Sequence, residues 1–146
     1  MFQEELKMTG ALKIEVFNPD GSIKETRDIK NLVVTTGKGF IASRMVGTAA
    51  AVISHMAVGT GATAAAAGDT ALGAESARVA ITSGTASGAV ATYVATFPAG
   101  TGTAALTEAG LLNAGSAGTL LCRTVFSVIN KGANDAMTVT WTVTVS

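Results

Sequence analysis

Apolar and hydroxyl side chains alternate over nine residues from Met137 to Val145, MTVTWTVTV, and no other feature constrains this chain as tightly. A period of two is the signature of a strand with one buried face. Met137, Val139, Trp141, Val143 and Val145 share the face that must find a core, and four threonines share the other. Threonine suits strands without adding charge, so the second face is expected to be an exposed or contact surface.

Similar patterns fill most of the chain. ALKIEVFN (11–18) sets Leu12, Ile14 and Val16 against Lys13, Glu15 and Phe17, Asn18-Pro19-Asp20-Gly21 supplies a turn, and SIKETRDIK returns as a charged strand. NLVV reads as strand. KGFIASRMVG places Phe40, Ile41, Arg44 and Met45 at helical spacing, with Thr36 as a possible cap and Gly47 as the stop. ARVAITS (77–83) and AVATYVATF (89–97) read as strands flanking SGTASG, a glycine-bearing loop that could close a hairpin. Further strands are expected around 106–113 and over TLLCRTVFSVIN (119–130), with a turn at 131–135 before the last strand. Seven or eight strands with no helix alternating between them predict an all-β, single-domain antiparallel β-sandwich or jelly-roll-like fold. One short helix near residues 37–46 and a long Gly/Ala-rich loop or arm at 59–75 complete it. Residues 1–10 are expected to be an N-terminal extension, and residues 11–146 the single β domain.

The stretch from Val52 to Glu75 begins as an apolar run, AVISHMAVG, and continues as GTGATAAAAGDTALGAE without helix or strand period. Gly59-Thr60-Gly61-Ala62-Thr63-Ala64 matches a permissive dinucleotide fingerprint. That fingerprint works through a helix whose N-terminus faces the pyrophosphate, and glycine interrupts the residues that would have to form it. An ordered arm is the better expectation, with Asp69 closing a local turn.

Composition narrows the function. Ten basic and ten acidic residues cancel, which gives no electrostatic reason to expect nucleic acid or a membrane as partner. Residues 1–47 hold thirteen of those twenty charges, so the rest of the chain offers a neutral surface of Thr, Ser, Gly and Ala. Because alanine buries little area, the core is expected to be thin or shared with a partner chain. The single cysteine, Cys122, lies in an apolar run and is expected to be a buried thiol. No apolar run reaches the ~20 residues of a membrane helix, and the amino terminus lacks a secretory h-region, so synthesis in the cytosol is expected.

Chemistry finds little footing. His55 and Cys122 are 67 positions apart and both lie in apolar runs, no serine sits in a G-x-S-x-G elbow, and His55 has no second ligand at metal spacing. Asp69, Glu75, Glu108 and Asp135 each fit a turn or an ion pair more simply than acid-base work. Neither catalytic residues, cofactor nor metal are therefore expected, and the chain is not expected to be an enzyme. Glu75, Arg78, Glu108 and Arg123, set beside apolar strands, are expected to be edge charges or ion pairs within or between subunits.

IKNLVVTTGKGFIASRMVG, HMAVGTGATAAAAGDTALGAESARV, TYVATFPAGTGTAALTEAGLLNAGSAGTLLCRTVF and NKGANDAMTVTWTVTVS together resemble a family of small virion proteins of tailed bacteriophages. Members occur as capsid decoration (cement) proteins, and similar sequences are described as tail-fibre-like. Over roughly residues 11–146, the resemblance rests on VGTGAT…GDTALG and TEAGL in this order. It implies a structural protein of the virion, made in the host bacterial cytoplasm and carried on the capsid surface. There it would bind the major capsid protein and itself, as a dimer or trimer. A tail-fibre or tail-tip structural or receptor-binding protein is the alternative. A chain that ends after its last strand, without heptads or fibrous repeats, favours the head. Arg44, His55, Thr60, Thr63, Asp69, Leu72, Glu75 and Arg78 are the expected interface residues.

Overall fold

A computed structural model describes residues 4–47 and 50–146, and contains nine strands and one helix among them. The strands are β1 (Met8–Phe17), β2 (Ile23–Val33), β3 (His55–Gly59), β4 (Glu75–Ala80), β5 (Ser83–Ser87), β6 (Val90–Phe97), β7 (Ala104–Leu112), β8 (Leu120–Lys131) and β9 (Ala136–Val145). The helix, α1, spans Thr35–Met45. All pairings are antiparallel, in the order β4-β3-β7-β8-β2-β1-β9-β6-β5. The sequence expectation of an all-β sandwich-like fold holds.

The long sheet curls because β2 changes partners along its length. From Ile23 to Asn31 it pairs with β1, whereas only Leu32 and Val33 pair with β8. Beyond that point side chains replace the ladder. Thr124 Oγ1 donates to the Lys30 carbonyl, Arg27 Nη1 and Nη2 donate to the Ser127 and Val128 carbonyls, and Lys24 Nζ donates to the Asn130 carbonyl. The charged face of β2 thus satisfies carbonyls that an interrupted sheet would leave open. Two leaves result, β2-β1-β9-β6-β5 and β4-β3-β7-β8.

Between the leaves lies one core, drawn from both. Leu12, Ile14 and Val16 of β1, Ala95 and Phe97 of β6, and Met137, Val139, Trp141 and Val143 of β9 meet Met56 and Val58 of β3, Ala109 and Leu111 of β7, and Cys122 and Ile129 of β8. Those of β1 and β9 are the ones that the period-two patterns place inward, whereas β3 enters through an unpatterned apolar run and Cys122 and Ile129 of β8 lie on opposite phases of a period of two, across an irregular register with β7. Cys122 is buried, and burial pushes its thiol pKa up. Trp141 Nε1 donates to Asn31 Oδ1 at 2.8 Å, and the Asn31 amide fits because its register partner Gly10 has no side chain there.

Several local expectations change. SGTAS is a strand, β5, and not a loop. Its small residues gave no alternation to read, because an edge strand exposed along its whole length needs none. The hairpin of this region is therefore β5–β6, turning at Gly88 (φ +56°), whereas β4 belongs to the other leaf. The strand count rises to nine. β1 begins at Met8, and Lys7 exchanges backbone hydrogen bonds with Ser146, so the last part of the expected extension belongs to the sheet; residues 1–3 lie outside the described residues.

Thr36 is not a cap. The N-cap position is Val34, without a side-chain cap, and Thr36 lies inside α1 with Oγ1 donating to the Leu120 carbonyl. The Thr35 N–H instead reaches the Ala67 carbonyl, so the helix start is satisfied by the arm. Only the second half of AVISHMAV is strand. Val52 is exposed, although Ser54 still bonds Leu112 and Ile81 through its backbone.

Candidate functional site

The Gly/Ala-rich arm, residues 60–74, leaves β3 and folds back over the outer face of its own sheet before entering β4. Ala57 of β3, Thr107, Glu108 and Leu112 of β7, and Leu120 and Arg123 of β8 point here. Ala57, Leu112 and Leu120 join Val34 in a second apolar cluster, and Leu72 of the arm covers it. Leu72 fits because its position over β7 belongs to Gly110, where a Cβ would come within 2.6 Å of the leucine Cδ1.

Beside this cluster stands a buried carboxylate. Glu108 of β7 is completely inaccessible to solvent and accepts hydrogen bonds from the backbone N–H groups of Gly61 (2.9 Å), Gly73 (2.8 Å) and Ala74 (2.6 Å). Arg123 of β8 donates to the same carboxylate through Nε at 3.0 Å and Nη2 at 2.8 Å. It then reaches on to Asp69 Oδ2 (2.8 Å) and the Thr63 carbonyl (3.0 Å), while Asp69 also accepts from the Ala66 N–H. Thr107 Oγ1 donates to the Gly61 carbonyl. Two sheet residues thereby grip the arm at both of its ends and at its middle.

The glycines in the arm follow from this grip. A Cβ on Gly61 would stand 2.6 Å from Glu108 Oε1, and one on Gly59 would run into the Ala74 carbonyl. At Gly61 only a backbone without a side chain can come this close to the carboxylate, whereas Ala74 donates its N–H with its methyl group in place. VGTGAT, GDTALG and TEAGL, separated in sequence, are therefore the two ends of the arm and the strand that holds them.

Electrostatics favour the charged state. Burial raises the pKa of Glu108, but the N–H donors and Arg123 outweigh it and the net shift is downward. Asp69 is lowered chiefly by the Ala66 N–H and further by Arg123. A lowered carboxylate pKa contributes stability that is present above its unfolded value and lost as pH falls through the folded one. Melting temperature should thus hold from neutral pH to about the ordinary values of 4.5 for Glu and 3.8 for Asp, and fall below them. Thermal melts between neutrality and acid pH measure this, and a melting temperature that rose on acidification would contradict it.

Of the expected interface residues, the structure gathers four in the arm. Leu72 is buried in its own chain, Asp69 and the Thr63 carbonyl hold Arg123, and Thr60 is exposed with its N–H on the Ala74 carbonyl. Glu75 and Arg78 form a two-bond ion pair on β4, and Arg78 also donates to the Ala114 and Ala117 carbonyls. His55 shares a 2.7 Å hydrogen bond with Ser54. Arg44 lies apart from the arm on α1 and donates to the Ala50 carbonyl. The residues that organise this site are Glu108 and Arg123; of the two expectations for them, edge charges or ion pairs, the second holds, since both are buried on interior strands and paired with each other. Their signal was two lone opposite charges, each inside an apolar run.

Fold and site together define an all-β domain in which buried charges hold a surface arm to its own sheet. Among the described residues no three His, Cys, Asp or Glu side chains come together as a metal site, and no helix is long and apolar enough to cross a membrane. No protein-family model, curated protein or solved structure matches the chain.

Proposed function

We propose that this chain is a bacteriophage virion structural protein, a capsid decoration (cement) protein that binds the outer surface of the major capsid protein shell and stabilises it. The observation that supports this reading is the character of the arm. Ala62, Thr63, Ala64, Ala66, Ala67, Gly68, Thr70 and Ala71 are exposed, small and uncharged, yet the backbone beneath them is fixed by Glu108 and Arg123. A pre-fixed, side-chain-poor surface loses little conformational entropy on docking and lets another protein approach closely. In this reading the buried carboxylate and guanidinium serve to fix that surface.

A ligand that binds only the assembled shell stabilises it by mass action. Particles carrying the protein are expected to survive heat and low salt better than particles without it. Purified protein added back should restore the difference, at copy numbers comparable with the shell protein. Equal resistance with and without it would reject the cement reading, and a handful of copies per particle would move the protein to the tail.

A further inference from the structure

The curled sheet ends in two edges of different character. β4 carries charges of both signs, Glu75 and Arg78, a common protection against unwanted strand pairing. At the other end β5 pairs with β6 alone, and all five of its residues are exposed. It contains no charge, no proline and no large side chain. An unprotected edge offers a row of free backbone donors and acceptors to another strand.

The sequence of β5 says which strand fits. Ser83-Gly84-Thr85-Ala86-Ser87 reads nearly the same in both directions. In an antiparallel pair with its own copy, centred on Thr85, serine faces serine, glycine faces alanine and threonine faces threonine. Neutral edges carry no repulsion between copies, and the central Thr–Thr cross-strand pair is favourable. Beside the edge, Ala86 and Gly88 form one wall of an open apolar groove of about 260 Å³ whose other walls include Phe40, Ile41 and Tyr93. A copy approaching β5 would have apolar area to cover beyond the strand itself.

We propose that β5 is the dimerisation strand of this protein. Two copies pair their β5 edges antiparallel about a two-fold axis through Thr85, joining their β2-β1-β9-β6-β5 leaves into one continuous sheet. Such an isologous contact closes at two chains. The inference rests on the edge alone and holds whether or not the chain decorates a capsid.

Register makes the test specific, because Ser83 of one copy faces Ser87 of the other. Sedimentation of the wild-type chain is expected to give the mass of two chains. The double variant Ser83→Lys/Ser87→Lys sets like charges opposite each other twice and should weaken the dimer about tenfold or more. Ser83→Lys/Ser87→Glu sets opposite charges together and should keep it. Both sites are exposed, so circular dichroism melts should match the wild type. As a measurement independent of charge, Thr85→Cys should cross-link to dimer on mild oxidation, since opposed strand Cα separations fall in the disulfide range. Thr70→Cys, on the exposed arm, should not. A one-chain or three-chain wild-type mass, equal dimerisation of the two charge variants, or equal cross-linking of the two cysteine variants would overturn the proposal.

Discussion

Replacing Arg123 with methionine is expected to cost about 3–5 kcal/mol of folding stability, because it leaves the Glu108 carboxylate buried without its countercharge. Denaturant unfolding of wild type and variant measures it directly. For an isolated buried ion pair, removing the second charge as well would recover most of the loss. Here the double variant Arg123→Met/Glu108→Leu should remain at least as unstable as Arg123→Met alone. Glu108 is also the acceptor for the Gly61, Gly73 and Ala74 N–H groups, and a leucine would leave all three without a partner. Hydrogen exchange separates the roles. Those three amides should keep partial protection in Arg123→Met and lose it in any Glu108→Leu variant. Full recovery in the double variant would mean that Glu108 serves Arg123 and not the arm.

Trp141→Ala should cost a comparable 3–5 kcal/mol or so, for a different reason. Trp141 is the largest fully buried side chain and lies in the cluster that both leaves build. Its removal opens a cavity there and strips Asn31 Oδ1 of its donor, while Asn31 Nδ2 already has no protein partner. Trp141→Phe keeps most of the volume and loses only the hydrogen bond, so about 1–2 kcal/mol is expected from the same unfolding measurement. Similar losses from the two substitutions would show that the hydrogen bond outweighs the packing. The two sites also differ in what they hold: Trp141 joins leaf to leaf, whereas Arg123 joins the arm to one leaf, so only the Arg123 and Glu108 variants should loosen residues 60–74 selectively.

Strands that bury one face were legible. β9 appears in the sequence close to its observed limits, and β1 does so apart from its first three residues, because alternation is a direct image of a half-buried strand. β5 was not legible, since an edge strand with both faces wet leaves no hydrophobic trace. The start of α1 was misplaced for a related reason. Its first turn is satisfied by Ala67 from a distant segment, and a local capping rule has no access to that partner.

The arm shows the same division at the site. Residues alone determined that 59–75 has no period, that its glycines interrupt any nucleotide-binding helix, and that Glu108 and Arg123 are isolated charges in apolar strands. Only the tertiary structure decided that these facts belong together. A three-dimensional register between β7 and β8 sets Glu108 beside Arg123, and the return of the chain through Gly73 brings three backbone donors to one carboxylate. Burying a charge is tolerable only when every lone pair finds a donor, and those donors come from segments 34 to 47 positions away. Local sequence fixes which residues can take part in such a cluster, whereas the long-range packing of arm on sheet fixes which of them meet.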